Sequence, residues 1–505
     1  MSATLPARLA LLPGFEGLDR QHQGKVRDTY LLPHHSDHRL PYATDRISIF
    51  DFVLDALVPQ KGEILNALSI FWRIRILSDF AHDLAAYGAA IDEWLPTHLR
   101  GNLELQCRAV VVQRLDMIPV EAIVRRYLTG SGLTAYRDTG MVCGHKLRGG
   151  LTDGSRLDRS LFTPTTKAEI GHDEHITAES VDKKYGNELG MLARLISDAV
   201  GAYAETHGVL LADTKLEFGW GRDKHGQRRL MVGDEIATPD SSRLWKRRQW
   251  LAAMSRGKAP TSFDKQVVRE LGKLAGLHKL DPKLPEHVAQ AHAFILPGEA
   301  IAQTKSIYRY IFWVLTGFKL EDFQRDMMGV AVKRAPVTID VVVGSESDLP
   351  QVDRGLEVLA NWARESGCQG SVNIISCHRN PAELANYVRD LKPEGRVVIA
   401  GAGKAAALPG VLNALLVAAG KSVPVIGVGF TGTTPSASMA AQLSISELPE
   451  QPVYMDKDSR PYVGATGFHQ ACQDAINFEY LPEQPESRPA KVGLSLSEAL
   501  ALARA

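Results

Sequence analysis

At 505 residues, 45% of them hydrophobic and 23% charged, the chain has room for three or four domains, each large enough to bury a core. Its 58 basic and 58 acidic residues cancel, which argues against nucleic acid as the main partner, because gripping a phosphate backbone leans on a basic surface. No uncharged apolar run is long enough to cross a membrane, the apolar N-terminal run is broken by proline without a cleavage-site pattern, and the five scattered cysteines read as reduced thiols, so a cytoplasmic metabolic protein is expected.

The first chemistry-bearing segment is GKVRDTY from Gly24. Gly24, Lys25 and Arg27 make a basic turn but not a Walker loop, because no glycine lies five residues before Gly24 and no Ser or Thr follows Lys25. ATDRISIFDFVL follows from Ala43, with Ser48 and Asp51, then PQKGEIL from Pro59, VEAIVRRYLTGSG from Val120 and FTPTTKAE from Phe162. Arg125 carries a planar fork suited to a carboxylate or phosphate, and Ser131 sits in a glycine-flanked loop where backbone and hydroxyl can both donate.

Residues 207–245 are the most informative stretch. Strand side chains alternate faces, so Asp213, Lys215 and Glu217 share one side while Ala212, Leu216 and Phe218 lie on the other. The run from Gly219 to Gly226 supplies a turn, and Leu230 to Ile236 alternates on the way back, which sets Asp234 roughly opposite Glu217. Two carboxylates beside a lysine suit a magnesium ion on a polyphosphate; a solvated hairpin face gives the same alternation. The return strand enters the hydroxyl-rich TPDSSRLW, with Ser241 and a second candidate arginine, Arg243, and SFDKQ follows from Ser262.

In this order these segments resemble the SAICAR synthetase family, in wording closer to the longer yeast-type form than to the short bacterial one. The resemblance implies an ATP-binding α+β fold over residues 1–330. It also implies a ligase in which ATP phosphorylates the carboxylate of carboxyaminoimidazole ribonucleotide and the amine of L-aspartate displaces the phosphate. On that reading Gly24, Lys25 and Arg27 meet the triphosphate, Glu217 and Asp234 hold Mg2+ and ATP, and Lys215 is catalytic. Ser48, Asp51, Arg125, Ser131, Ser241 and Arg243 bind substrate, while Thr166 and Lys167 match a family segment without an assignable role.

Beyond a linker at 331–336 the pattern changes. Val337 to Val343 is a β-branched run, followed by GSESD and a helical stretch from Leu349 to Gly367; strand and helix then recur through 372–376, 397–400 and 423–428. Alternating βα units over residues 337–480 predict a doubly wound parallel sheet, flavodoxin-like, with ligands at the carboxyl ends of its strands. GSESD, SCHRNP from Ser376, AGAGKAAALPG from Ala400 and VPVIGVG from Val423 resemble the N-carboxyaminoimidazole ribonucleotide mutase family, the catalytic subunit of phosphoribosylaminoimidazole carboxylase. The resemblance implies that His378 moves a proton, that Ser345 and Arg379 hold a ribose phosphate and Asp348 its ribose hydroxyls, and that Ser376, Gly401 and Gly403 line the site.

Lys404 stands where that family has glycine and Ala407 where it has histidine. Two readings therefore stay open, a working mutase or carboxylase and a non-catalytic assembly core, since the family forms octamers. The G-x-G-x-x-A from Gly401 fails as a dinucleotide fingerprint, because VPVIGVG ends without the acidic residue that reads ribose. Residues 481–505 read as a Pro-rich linker and a short helix with a Ser495–Glu498 capping box, and a homo-oligomer, possibly an octamer through the C-terminal domain, is expected.

Overall fold

The computed structural model describes residues 4–10, 14–167, 174–258, 260, 262–263, 265–333, 337–393, 395–448, 451–456, 460–481 and 491–504. The chain divides into two compact units, Met1–Arg334 and Ala335–Ala505. Parts of the expected linker (334–336), of SFDKQ (264) and of FTPTTKAE (168–169), and the Pro-rich stretch 482–489, lie outside the described residues.

Unit one begins with β1 (Arg20–Gln23), β2 (Arg27–Leu31) and β3 (His38–Ala43), a separate hairpin of β4 (Arg46–Ile49) and β5 (Phe52–Leu57), and helix α1 (Lys61–Phe71). Adding β6 (Leu84–Tyr87) and β7 (Val110–Gln113) gives a five-stranded sheet ordered β1-β2-β3-β7-β6. A second sheet of seven strands follows, built on β8 (Val120–Tyr127), helix α2 (Gly130–Thr139), β9 (Arg156–Phe162), helix α3 (Glu188–Thr206), β10 (Val209–Arg222), β11 (Arg228–Gly233) and β12 (Ser242–Lys246). Its spine runs β9-β8-β10-β11, with β12 paired to the first half of β10.

The expected alternation decides how β10 sits. Ala212, Leu216 and Phe218 are fully buried, and β10 packs on α3, whose Leu189, Ala193, Ile196, Val200 and Ala204 form one buried stripe at helical spacing. That leaves Asp213, Lys215 and Glu217 on the opposite face. The return strand departs from expectation. Alternation from Leu230 to Ile236 does not occur, because Leu230, Met231 and Val232 are all buried and β11 stops at Gly233. Glu217 is opposite Gly233, and Asp234 comes one residue later in a left-handed conformation (φ 57°) that takes it out of the ladder.

Unit two contains β13 (Thr338–Val343), α4 (Asp353–Ser366), β14 (Gln369–Ile374), α5 (Pro381–Asp390), β15 (Arg396–Ala402), α6 (Leu408–Ala418), β16 (Val425–Gly429), α7 (Pro435–Ser446), β17 (Tyr462–Val463), α8 (Gly464–Asn477) and α9 (Leu496–Arg504). The strands are all parallel in the order β14-β13-β15-β16-β17, the doubly wound flavodoxin-like arrangement. Alternate residues feed two cores: Val342, Val398 and Ala400 meet α5, α6 and α7, while Val341, Ile399 and Val428 meet α4 and α8.

Helix does not begin at Leu349 as expected. Ser345 caps a 3-10 turn over Glu346–Gln351, and α4 starts only at Asp353. Helix α9 has the predicted reciprocal cap, Ser495 N–H to Glu498 at 2.8 Å and Glu498 N–H to the Ser495 hydroxyl at 3.3 Å. Among the described residues, no helix is long and apolar enough to cross a membrane.

Candidate active site

Two cavities open beside the charged face of β10, one of about 350 Å³ and one of about 420 Å³. Val26, Arg27, Glu217, Asp234 and Glu235 line both and form a common wall. Beyond that wall the first cavity is mixed: Ala43, Leu65, Ile70, Val110, Val112, Leu115 and Met117 give it an apolar surface, and Gln21, Arg39, Asn66, Ser69, Arg73, Asp83, Gln113 and Arg114 border it as well. The second is polar and gathers Lys25, Ser48, Asp51, Arg125, Ser131, Lys215, Ser241 and Arg243. Gly24 alone of the expected unit-one residues lines neither; it makes the turn behind the wall, where its carbonyl accepts from Arg46 at 2.9 Å.

The cations of the polar cavity are held by carboxylates. Arg125 and Arg243 both donate to Oδ2 of Asp213, at 2.7 and 2.5 Å, and Arg125 also donates to the Ser131 hydroxyl at 3.0 Å. The glycines around Ser131 permit this. A Cβ on Gly130 would come 2.5 Å from the Arg243 guanidinium and one on Gly132 2.9 Å from that of Arg125. Lys215 lies 2.5 Å from Glu121. Burial would lower the Lys215 ammonium, but the Glu121 charge and hydrogen bond outweigh it, so its pKa is raised and it stays cationic.

On the common wall, Lys167 pairs with Glu217, and Arg27 bridges Asp234 at 2.6 Å and Glu235 at 3.3 Å. Burial pushes the Asp234 carboxyl up, yet Arg27, Lys167 and Lys215 together hold it below its ordinary range, while burial dominates at Glu235 and raises it. Among the described residues, no group of three or more His, Cys, Asp or Glu is arranged as a metal cage. Glu217 and Asp234 are the wall carboxylates that could hold a magnesium ion, a hard cation that takes oxygen ligands.

Sequence reasoning missed Glu121, Asp213, Glu235 and Lys265 as members of this site. Two were legible: Asp213 shares a strand face with Lys215, and Glu121, Ile123 and Arg125 alternate on β8, which pairs with β10 through Asp213↔Arg125 and Lys215↔Ile123. Glu235 directly follows Asp234 and Lys265 lies in the SFDKQ segment, but neither residue was given a role; Lys265 reaches the cavity through tertiary packing, 3.8 Å from Asp240, whose carboxylate is held by Lys61 at 2.6 Å and the Tyr308 hydroxyl at 2.5 Å.

In unit two, Ser345, Asp348, Ser376, His378, Arg379, Gly401 and Gly403 lie at or just past the carboxyl ends of three adjacent strands. Arg379 donates to the Gly344 carbonyl at 2.9 Å, and its N–H to the Ser376 hydroxyl at 3.2 Å. Asp348 is buried, which raises its pKa against the opposing pull of the Ser345 backbone and Arg379. Gly403 approaches it, a Cβ there falling 3.6 Å from the Asp348 carboxylate. His378, Arg379 and Lys404 are exposed. Lys404 adopts φ 57°, the region glycine favours.

The SAICAR synthetase family model matches residues 20–281, more than half of the chain. The chain belongs to the SAICAR synthetase family. This synthetase is 40% identical over 313 residues to the phosphoribosylaminoimidazole-succinocarboxamide synthase of Thermobifida fusca, covering 60% of this chain and 92% of that one. It is 43% identical over 286 residues to the enzyme of that name from Mycobacterium tuberculosis, covering 54% and 90%. Among solved structures it resembles SAICAR synthase from Saccharomyces cerevisiae complexed with SAICAR, with TM-score 0.52 and 30% identity, over 61% of this chain and 97% of that one. Residues 338–455 match the AIR carboxylase family model, so a ligase of purine biosynthesis is fused here to a carboxylase-type domain.

Proposed function

We propose that unit one joins L-aspartate to carboxyaminoimidazole ribonucleotide with ATP and Mg2+, releasing SAICAR, ADP and phosphate. The observation that carries this reading is the acidic wall common to two cavities, one with an apolar patch and one polar: a nucleotide base fits the patch of the first, a phosphorylated carboxylate the second, and the phosphoryl group passes between them at the wall. Arg125, Arg243 and the Ser131 hydroxyl receive the ribose phosphate, with donors already oriented by Asp213. Ser48, Asp51 and Ser241 border the rest of the substrate. Lys25 and Arg27 stand at the triphosphate side, and Lys215 places its ammonium where negative charge grows as the phosphoryl group moves and the aspartate amine attacks. Mg2+ bound by Glu217 and Asp234 would supply further charge neutralisation.

Unit two makes the nucleotide that unit one consumes. His378 moves the proton on the ring carbon that gains the carboxylate, Arg379 and Ser345 take the ribose phosphate, Asp348 the ribose hydroxyls, and Ser376, Gly401 and Gly403 border them. A second reading, an assembly core, is favoured by exposed Val411 and Val417 on α6 and Met439 and Leu443 on α7, apolar faces that a further copy of a cytoplasmic homo-oligomer would cover. Purified chain with carboxyaminoimidazole ribonucleotide, aspartate and ATP should form SAICAR, and chelation of divalent ions should stop it. Full turnover in chelator would remove Mg2+ from the scheme, and no SAICAR under any condition would remove the ligase assignment.

A further inference from the structure

Of the polar side chains that line the first cavity, Asn66 carries an acceptor that no donor meets among the described residues. Asn66 lies on α1, is 7% exposed and lines the cavity. Its amide nitrogen donates to the carbonyls of Cys107 at 2.9 Å and Ala109 at 3.4 Å. A carbonyl can only accept, so the side-chain nitrogen is fixed against the backbone and the Asn66 oxygen is fixed as an acceptor. Among the described residues nothing donates to that oxygen, and it is not sealed away from the cavity's open space.

The surroundings amplify what such an acceptor can do. Leu65, Ile70, Val110 and Val112 line the same cavity, and against apolar surface an unmatched buried polar group retains most of its desolvation cost. A ligand donor opposite the oxygen is satisfied; a ligand acceptor there leaves two lone-pair groups facing each other. Sites built around a buried hydrogen bond discriminate far more steeply than sites that sense only shape. We propose that the Asn66 oxygen accepts from the exocyclic amino group of the nucleotide base and makes the synthetase select a 6-aminopurine triphosphate over a 6-oxopurine one. This rests on the first cavity being the nucleotide site.

The test removes the hydrogen bond from either side. SAICAR formation is measured with ATP, GTP and purine riboside triphosphate, which is ATP without its 6-amino group, for wild type, Asn66→Leu and Asn66→Ser. Leucine keeps the volume without any polar atom, and serine keeps a polar side chain without the amide oxygen. In wild type, loss of the 6-amino group should raise KM about tenfold. In both variants ATP and purine riboside triphosphate should have KM values within about twofold, with kcat at saturation little changed, because the group each has lost is the other's partner. A wild-type ATP to purine riboside triphosphate ratio that persists in the folded serine variant would overturn the role of Asn66, as would equal use of ATP and GTP by wild type. Failure of every triphosphate to support turnover would instead bring down the ligase reading.

Discussion

In unit one the site residues are tied to one another: Arg125 and Arg243 to Asp213, Lys215 to Glu121, Lys167 to Glu217, Arg27 to Asp234 and Glu235. In unit two, His378 and Arg379 are exposed, and the crevice is organised by backbone, with Arg379 on the Gly344 carbonyl and a glycine beside Asp348. A ligase that moves a phosphoryl group must neutralise charge as it develops, and interlocked ions keep that field fixed before substrate arrives. A site that shuttles one proton needs a titratable group in reach and little else. The consequence for experiment is practical. Deleting one ion in unit one strands its partner and disturbs folding as well as chemistry, whereas an exposed side chain of unit two can be removed with little effect beyond its own role.

The largest expected effects test whether the two sites are independent. Glu217→Gln and Asp234→Asn should each lower SAICAR formation by at least about 100-fold while leaving the carboxylated nucleotide to form as before. His378→Asn should do the reverse. Assaying both reactions on all three proteins checks this; a single variant that loses both activities would break the comparison.

A step smaller is Lys215→Met, expected to lower kcat about 100-fold with the KM for aspartate within about threefold. It also removes the Lys215 charge from buried Glu121, so melting should occur a few degrees lower. Adding Glu121→Gln should restore the melting temperature and not the rate, which separates the packing role of the pair from its chemical one. Recovery of rate in the double variant would mean that Lys215 acts only by neutralising Glu121. Smaller again is Asp213→Asn. With one shared anchor weakened, the two guanidiniums are held less firmly, and the KM for carboxyaminoimidazole ribonucleotide should rise about tenfold with kcat little altered. An unchanged KM would show that Gly130, Gly132 and Ser131 suffice to place the arginines.

How much of this was readable in the chain varied with the reach of the interaction. The face shared by Asp213, Lys215 and Glu217 follows from strand alternation alone, and the parallel sheet from repeated βα units. Asp234 was displaced by one residue because its left-handed backbone is set by the wall it joins, where Arg27 and the backbone contact from Arg73, 2.5 Å to the Asp234 carbonyl, hold it. Lys265 enters the site through the folding of a segment distant in the chain, so its motif could not say which carboxylate it meets. Lys404 was noticed only as a departure from family wording, and its φ of 57° shows what the departure costs: a lysine occupies backbone that glycine would adopt without strain.

The smallest effect concerns pH and belongs to the interlocked unit. His82 is packed beside Arg73, and burial first, then the Arg73 charge, lowers its pKa from 6.5 to about 4. Between those values the unfolded chain takes up a proton at this position and the folded one does not, so acid favours unfolding, and stability is lost as pH falls from 6.5 towards 4. Burial lowers His22, His175 and His292 in the same direction, so the trend should outlast any one substitution. Calorimetry at pH 7.5, 6 and 5 should find unit one melting progressively lower, and His82→Gln should shrink the drop by roughly 2 °C. Carboxylates held low by ion pairs, such as Glu321, kept near 2 by the Arg309 hydrogen bonds and charge despite its burial, lose their contribution only below 4.5; Asp83 and Glu235, raised by burial, run the other way, so the drop is what the histidines leave after that offset. A pH dependence that is identical in wild type and His82→Gln would mean that the Arg73 neighbourhood relaxes to accept the proton, and that unit one is less tightly interlocked than its ion pairs indicate.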